Sequence, residues 1–246
     1  MAENRRGLAA WCLYDWANSA FPTVLTTFVF AAYFTKGVAT DEVSGTSQWG
    51  VTMSLSALAV AVLGPVLGAI VDNTGGRKPW LALFTLIAAL GAMMLWAVEP
   101  NTAFIFYALF WVGLANFAFE MSMVFYNAML PDIAPEGKIG RWSGWGWGLG
   151  YMGGLICLGI TLVAFVQADV PLFGLDKSAA EELRITGPFV AVWMIAFALP
   201  LFLLTPDKRA TGKPIDAAIR DGLSSLSRTF RQLGDYKDVA RFLLAR

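Results

Sequence analysis

The stretch WGVTMSLSALAVAVLGPVLGAIVDNTGGRKPWLALFTLIAALGAMMLWAV, residues 49–98, decides the fold class. It holds two apolar blocks, 49–71 and 79–98, separated by the polar heptapeptide Asp72-Asn73-Thr74-Gly75-Gly76-Arg77-Lys78. About 20 apolar residues wound as an α-helix cross roughly 30 Å, the thickness of a bilayer's hydrocarbon core. The pattern is therefore a membrane hairpin. Gly64-Pro65 inside the first block marks a kink position.

Working outward, the same unit recurs. Residues 8–34 form an earlier block, followed by a polar loop from Lys36 to Gln48. Residues 102–129 form a fourth, closed by Leu130-Pro131-Asp132, and residues 142–166 a fifth. A loop with Asp169, Asp176, Glu181 and Glu182 leads to a sixth at 188–204. The fold class expected is an all-α membrane protein with six transmembrane helices, residues 1–205. Beyond Thr205 the chain turns polar and basic. Ile215, Ile219, Leu223, Leu226, Phe230 and Leu233 recur at steps of three and four, the stripe of an amphipathic helix. Residues 206–238 are expected to be a linker lying on the membrane face. Residues 239–246 begin a further apolar run, read as the start of a seventh span whose remainder lies beyond Arg246.

Composition agrees. The chain is 57% hydrophobic and 15% charged, against roughly 45–50% and about 25% in soluble domains. Eighteen basic residues balance eighteen acidic ones, and no basic patch with interleaved aromatics is present, so no nucleic-acid partner is expected. There is no histidine, and Cys12 and Cys157 both lie in apolar blocks. Neither a metal, a cofactor nor a disulfide is indicated. No nucleophile–base spacing is present, so an enzyme is not expected. Arg5 and Arg6 precede an apolar run, but that run carries Asp15, Asn18 and Pro22 and outlasts a signal core, so the pair reads as an anchor for the first span.

Basic residues orient the chain. Alternating the loops puts Arg5, Arg6, Arg77, Lys78, Lys138, Arg141 and every basic residue from Lys208 onward on one side, and only Lys36, Lys177 and Arg184 on the other. The first side is expected to be the cytoplasm, with the N-terminus on it.

Ionisable residues within spans are costly and mark pathways. In the first span Asp15, Ser19, Pro22, Thr23 and Thr26 share a face at α-helical spacing, with Asn18 beside it. The hydroxyls have an alternative use in bonding backbone carbonyls, and Asp15 an alternative as a charge near the helix N-terminus. In the fourth span Asn116, Glu120, Met123 and Asn127 step by four, three and four, one stripe facing the bundle interior or a water-filled cavity. A desolvated carboxylate there suits proton or cation coupling; the alternative is a hydrogen-bonded brace between helices. In the fifth, Gly146, Gly150 and Gly154 make two small-x-x-x-small steps that let another helix approach closely, as a static contact or a sliding one.

Gly68-Ala69-Ile70-Val71-Asp72 followed by Gly75-Gly76-Arg77-Lys78 resembles the cytoplasmic signature of the major facilitator superfamily, with Asn73 replacing a basic residue and one extra glycine. YDWANSAF at 14–21, TFVFAAYF at 27–34 and YNAMLPDIAPEGKIGRWSGWGWGLGYMGG at 126–154 look like the vacuole-effluxer-like branch, named for exporters of amino acids from the vacuole. The resemblance implies two six-span halves with substrate held between them near mid-membrane. This chain matches the first half and the linker. By the same resemblance Asp72, Gly76, Arg77 and Lys78 belong to a cytoplasmic gate. The fifth-span signature of drug–proton antiporters is absent.

The expectation is a secondary transporter of a small polar solute, amino acids favoured, working by alternating access and open to proton coupling. Asp15, Asn18, Asn116, Glu120 and Asn127 would line its pathway. Its partners would be the small-molecule substrate, the lipid bilayer, and the missing C-terminal half or a second chain. Its location would be a bacterial inner membrane. The alternatives are a non-transporting sensor or scaffold on the same fold, or a sugar or drug transporter of the same superfamily.

Overall fold

A computed structural model describes residues 5–208, together with 211, 217, 219, 220 and 224. The amphipathic stripe expected over 206–238 falls mostly outside the described residues, and the start of a seventh span at 239–246 falls wholly outside them.

The described chain is helical and contains no strand. Its α-helices are α1 (Arg5–Asn18), α2 (Phe30–Tyr33), α3 (Glu42–Thr74), α4 (Lys78–Met94), α5 (Ile105–Ile133), α6 (Ile139–Thr161), α7 (Glu181–Arg184) and α8 (Thr186–Leu204). Five stretches, Glu42–Thr74, Lys78–Ala97, Thr102–Ile133, Ile139–Val166 and Glu181–Leu204, are long and apolar enough to cross a membrane. The first expected span is composite. Pro22 has no N–H to give the carbonyl one turn back, and the chain rewinds into π-helix over Phe21–Phe28, passes through α2, and rewinds again over Phe34–Val38. Val29 and Ala39 each bond the carbonyl five residues earlier, the mark of π turns.

Three boundaries differ from the polarity pattern. The stretch from Lys36 to Gln48 is not a loop throughout: α3 begins at Glu42, because Asp41 caps it by accepting the N–H groups of Val43 and Ser44, each at 3.0 Å. Similarly, α5 runs through Pro131 to Ile133, and α6 begins at Ile139. Apolarity marks where hydrocarbon ends, and helices continue past it. Helix α3 itself passes Pro65 as one element and ends where Gly75 and Gly76 take φ values of 69° and 71°.

Around the bundle the packing order is α3, α5, α4, α8, α1, α6. Helices α3 and α6 do not pack along each other, so the ring is open between them. Helices α1 and α5 meet across the floor of that opening. There Trp11 lies on Tyr126 with ring centroids 4.3 Å apart and planes 7° from parallel, and its indole N–H donates to the Tyr126 carbonyl at 3.1 Å. The Tyr14 ring stacks on Tyr126 at 5.0 Å, and its hydroxyl meets that of Thr85 on α4 at 2.7 Å. At the opposite end Arg184 is buried, donates to the Trp96 carbonyl at 2.8 Å and lies over the Trp96 ring.

Outward faces are apolar and helically spaced: Val51, Leu55, Leu58 and Val62 on α3, and Leu83, Leu86, Leu90 and Met93 on α4, are all exposed. Stripes of this length cover a surface that water would not support and hydrocarbon does.

Candidate functional site: an open face and a charged clamp

Asp15 is only 6% exposed. It reaches its position because α6 carries no side chain opposite: a β-carbon on Gly150 would lie 2.8 Å from Ser19 Oγ and 3.0 Å from Asp15 Cγ. The carboxylate walls a cavity of about 360 Å³ together with Ser19, Pro22 and Thr23, with Met123 of α5, and with Trp147 and Tyr151 of α6. Among the described residues no hydrogen bond or ion pair reaches it. The Thr23 hydroxyl donates to the Ser19 carbonyl at 2.8 Å, and that of Thr26 to the Pro22 carbonyl at 3.1 Å. Thr26 does not line the cavity; Thr27 does.

Asn18 turns away from this cavity. It is 1% exposed, donates to Met123 Sδ at 2.9 Å and Ser122 Oγ at 3.4 Å, and its Oδ1 has no partner among the described residues. Asn116 donates to Ser56 Oγ on α3 at 2.9 Å. Both amides therefore tie α5 to a neighbour.

The direction of Glu120 follows from what surrounds it on α5. Phe119, Ser122 and Tyr126 meet the first span. Phe117 and Phe125 pack on Phe84 of α4. Gly113 faces Thr52 of α3. Glu120 and Asn127 therefore share the side of α5 on which Gly113 and Asn116 meet α3, and both are exposed. The structure leaves Glu120 and Asn127 exposed on α5, and it does not bring Asp15 and Glu120 into one cavity.

The α1–α6 contact is made by glycines. A β-carbon on Gly146 would lie 2.8 Å from the Trp11 ring, and one on Gly154 would lie 2.7 Å from Thr23 Oγ1 and 3.0 Å from the Ser19 carbonyl. The tightest position is Gly153, 2.5 Å from the Trp16 carbonyl.

At the α3–α4 turn, Arg77 is buried and its guanidinium gathers three groups. It donates to Asp72 Oδ1 at 3.0 Å, to the Ala128 carbonyl at 2.6 Å and to Asp132 Oδ2. Asp207, just past α8, accepts the backbone N–H groups of Arg77 and Lys78 at 2.9 and 3.0 Å. Those N–H groups open α4 and have no partner within it. The Gly76 N–H donates to the Lys208 carbonyl at 3.1 Å, and Lys78 Nζ to the Phe202 carbonyl at 3.0 Å. Thr211 bonds the carbonyls of Asn73 and Thr74. One clamp thereby joins α3, α4, α5 and the segment leaving α8. Asp132 and Asp207 are its members that motif reading does not find. Asp132 follows Ala128 by one helical turn, a weak signal; Asp207 has no local signal, since its partners are about 130 residues away in sequence.

Known proteins resemble this chain along most of its length. The family described as vacuole effluxer Atg22 like matches residues 35–246. A Bacillus subtilis (strain 168) protein named as an uncharacterised MFS-type transporter, YxiO, is 31% identical over 239 residues, covering 96% of this chain and 55% of that protein. An Aquifex aeolicus (strain VF5) protein named only as uncharacterised is 26% identical over 151 residues, covering 61% of this chain and 36% of its own length. The chain spans about half the length, or less, of the curated relatives it matches.

Proposed function

The chain belongs to the vacuole effluxer Atg22-like family, among MFS-type transporters, and on that premise we propose that it supplies six spans of a secondary transporter moving a small polar solute, amino acids favoured, by alternating access. It is an integral, multi-pass membrane protein. The observation that carries the reading is the open face between α3 and α6. Asp15 walls a cavity against α6, Glu120 is exposed on α5, and neither carboxylate has a partner among the described residues. Carboxylates at membrane depth persist where they face a pathway. A second helical unit, from the remainder of a longer protein or from another chain, would close that face and enclose the solute.

In this reading Asp72, Gly76, Arg77 and Lys78, with Asp132 and Asp207, form the gate on the cytoplasmic side. The distribution of basic residues supports that side and a cytoplasmic N-terminus, and the likeness to bacterial proteins supports a bacterial inner membrane. Glu120 carries the coupling proton.

Uptake by proteoliposomes tests the proposal. A mixture of labelled amino acids should accumulate under an imposed proton gradient. Glu120→Gln should abolish accumulation and leave exchange largely intact. Unchanged gradient-driven uptake in that variant would remove Glu120 from coupling, and no movement of any solute by the wild-type protein would sink the transport reading.

A further inference from the structure

We propose that Asp15, Trp147 and Tyr151 form a subsite for a positively charged nitrogen, an ammonium or substituted amine, on the transported solute; the proposal rests on the transport reading above. Three observations converge on it.

First, Asp15 is more than nine-tenths buried, walls the cavity, and its carboxylate has no cation or donor among the described residues. A buried charge of this kind is costly until a partner arrives. Second, the wall facing it is aromatic. Trp147 and Tyr151 stand one turn apart on α6, their ring centroids 5.6 Å apart and edge to face, and both are largely exposed. Gly150 lies on the same stretch of α6, pressed against the carboxylate, so charge and rings border one space. Aromatic faces attract cations, and a carboxylate adds a directional, charge-assisted bond.

Third, the spans that wall this cavity carry no counter-charge at that depth. Lys36 lies at one end of the first span, and Lys138 and Arg141 lie at the other end of the bundle, before and within the first turn of α6. A solute carboxylate placed beside Asp15 would meet a like charge. The cavity, about 360 Å³, is at the small end of the roughly 300–1,000 Å³ typical of small-molecule sites. It suits a compact amine rather than a large drug. The Ser19 hydroxyl on the same wall offers a second acceptor.

Three labelled probes with one phenyl body separate the charges: phenethylamine as cation, phenylalanine as zwitterion, 3-phenylpropionate as anion. Binding is measured on the full chain in lipid nanodiscs. The amine should bind at least as well as the zwitterion, and the anion most weakly. Asp15→Asn, close to isosteric, should weaken the amine at least tenfold and should not weaken the anion, whose repulsion it relieves. Should that variant fail to fold, Tyr151→Ala, at an exposed position, should still weaken the amine ~3-fold, the scale of a single cation–π contact. Absence of amine binding to the wild-type chain would overturn the subsite, as would anion binding equal to the amine's or amine binding unchanged in Asp15→Asn. Uptake of a neutral or anionic solute that amines do not inhibit would sink the subsite and leave transport standing. Amine binding without uptake of any solute would do the reverse.

Discussion

The backbone of Trp16 passes so close to Gly153 that a β-carbon there would lie 2.5 Å from the Trp16 carbonyl. Helices α1 and α6 are in contact because this position has no side chain. Gly153→Ala should push the helices apart and lower stability by ~1–3 kcal/mol, the usual range for overpacking. Gly148 is the control, with nothing within 4 Å of a β-carbon. Gly148→Ala should be neutral or stabilising by up to about 1 kcal/mol, from helix propensity alone. Thermal unfolding in detergent compares them, and equal midpoints would refute the contact.

Arg77 has the largest set of partners in the clamp, and its removal leaves Asp132 without its guanidinium. Because Asp132 is 43% exposed and Asp72 is 62% exposed, water compensates in part. Arg77→Ala should cost ~2 kcal/mol, within the range for hydrogen bonds to charged groups. Arg77→Lys cannot span both carboxylates and the Ala128 carbonyl, so it should recover less than half. A lysine variant as stable as wild type would show that the fork geometry is immaterial.

Asp207 acts as a remote cap for α4. Asp207→Ala should cost about 1 kcal/mol, as loss of an N-cap does, and should raise amide exchange first at Arg77 and Lys78. Asp207→Asn retains an acceptor and should lose less. Exchange unchanged at those two amides would show that the cap is dispensable.

Acid should loosen the start of α3. The Ser44 backbone N–H, helped by the Ser44 hydroxyl and the Val43 N–H, holds the Asp41 carboxyl below the usual carboxylate range. The hydroxyl and N–H of Ser178 do the same for Asp176, ahead of α7. A carboxyl depressed in the folded state contributes its full stability above the unfolded value of about 4 and loses it as pH falls through the lower, folded value. Amide exchange at Val43 and Ser44 should therefore quicken on acidification beyond its intrinsic pH dependence. Asp41→Asn should flatten that response. A response of the opposite sign would contradict the capping geometry.

Apolar blocks near 20 residues long made the spans legible, and charge counting marked the loops. Helix ends were less legible, since the polar residues from Glu42 to Gln48 are helical outside hydrocarbon and Pro131 sits within a last turn. Straight α-helical spacing selects Thr26 as a partner of Asp15; π winding after Pro22 brings Thr27 to the cavity instead. Small-x-x-x-small spacing picks out Gly146, Gly150 and Gly154 and omits Gly153, because α6 meets α1 over a strip wider than one row of side chains. The stripe through Asn116 and Glu120 divides in the fold. Asn116 reaches Ser56 on α3, while Glu120 one turn on is exposed and meets no partner among the described residues. Asp207 was illegible for a simpler reason: nothing local predicts a partner so far along the chain.

That separation bears on how the protein is made. The amides that Asp207 caps lie about 130 residues earlier. At ~5–20 residues per second, the ribosome finishes the α3–α4 hairpin on the order of ten seconds before its latch emerges. Until then, among the described residues, the turn at Gly75–Lys78 is held through Arg77 by Asp72 and, once α5 follows, by Asp132 and the Ala128 carbonyl, and through Lys78 by the Phe202 carbonyl once α8 is made. Synthesis stalled between α5 and residue 207 would leave a partial bundle with its turn unlatched, a species that proteases at the membrane surface could recognise by that turn.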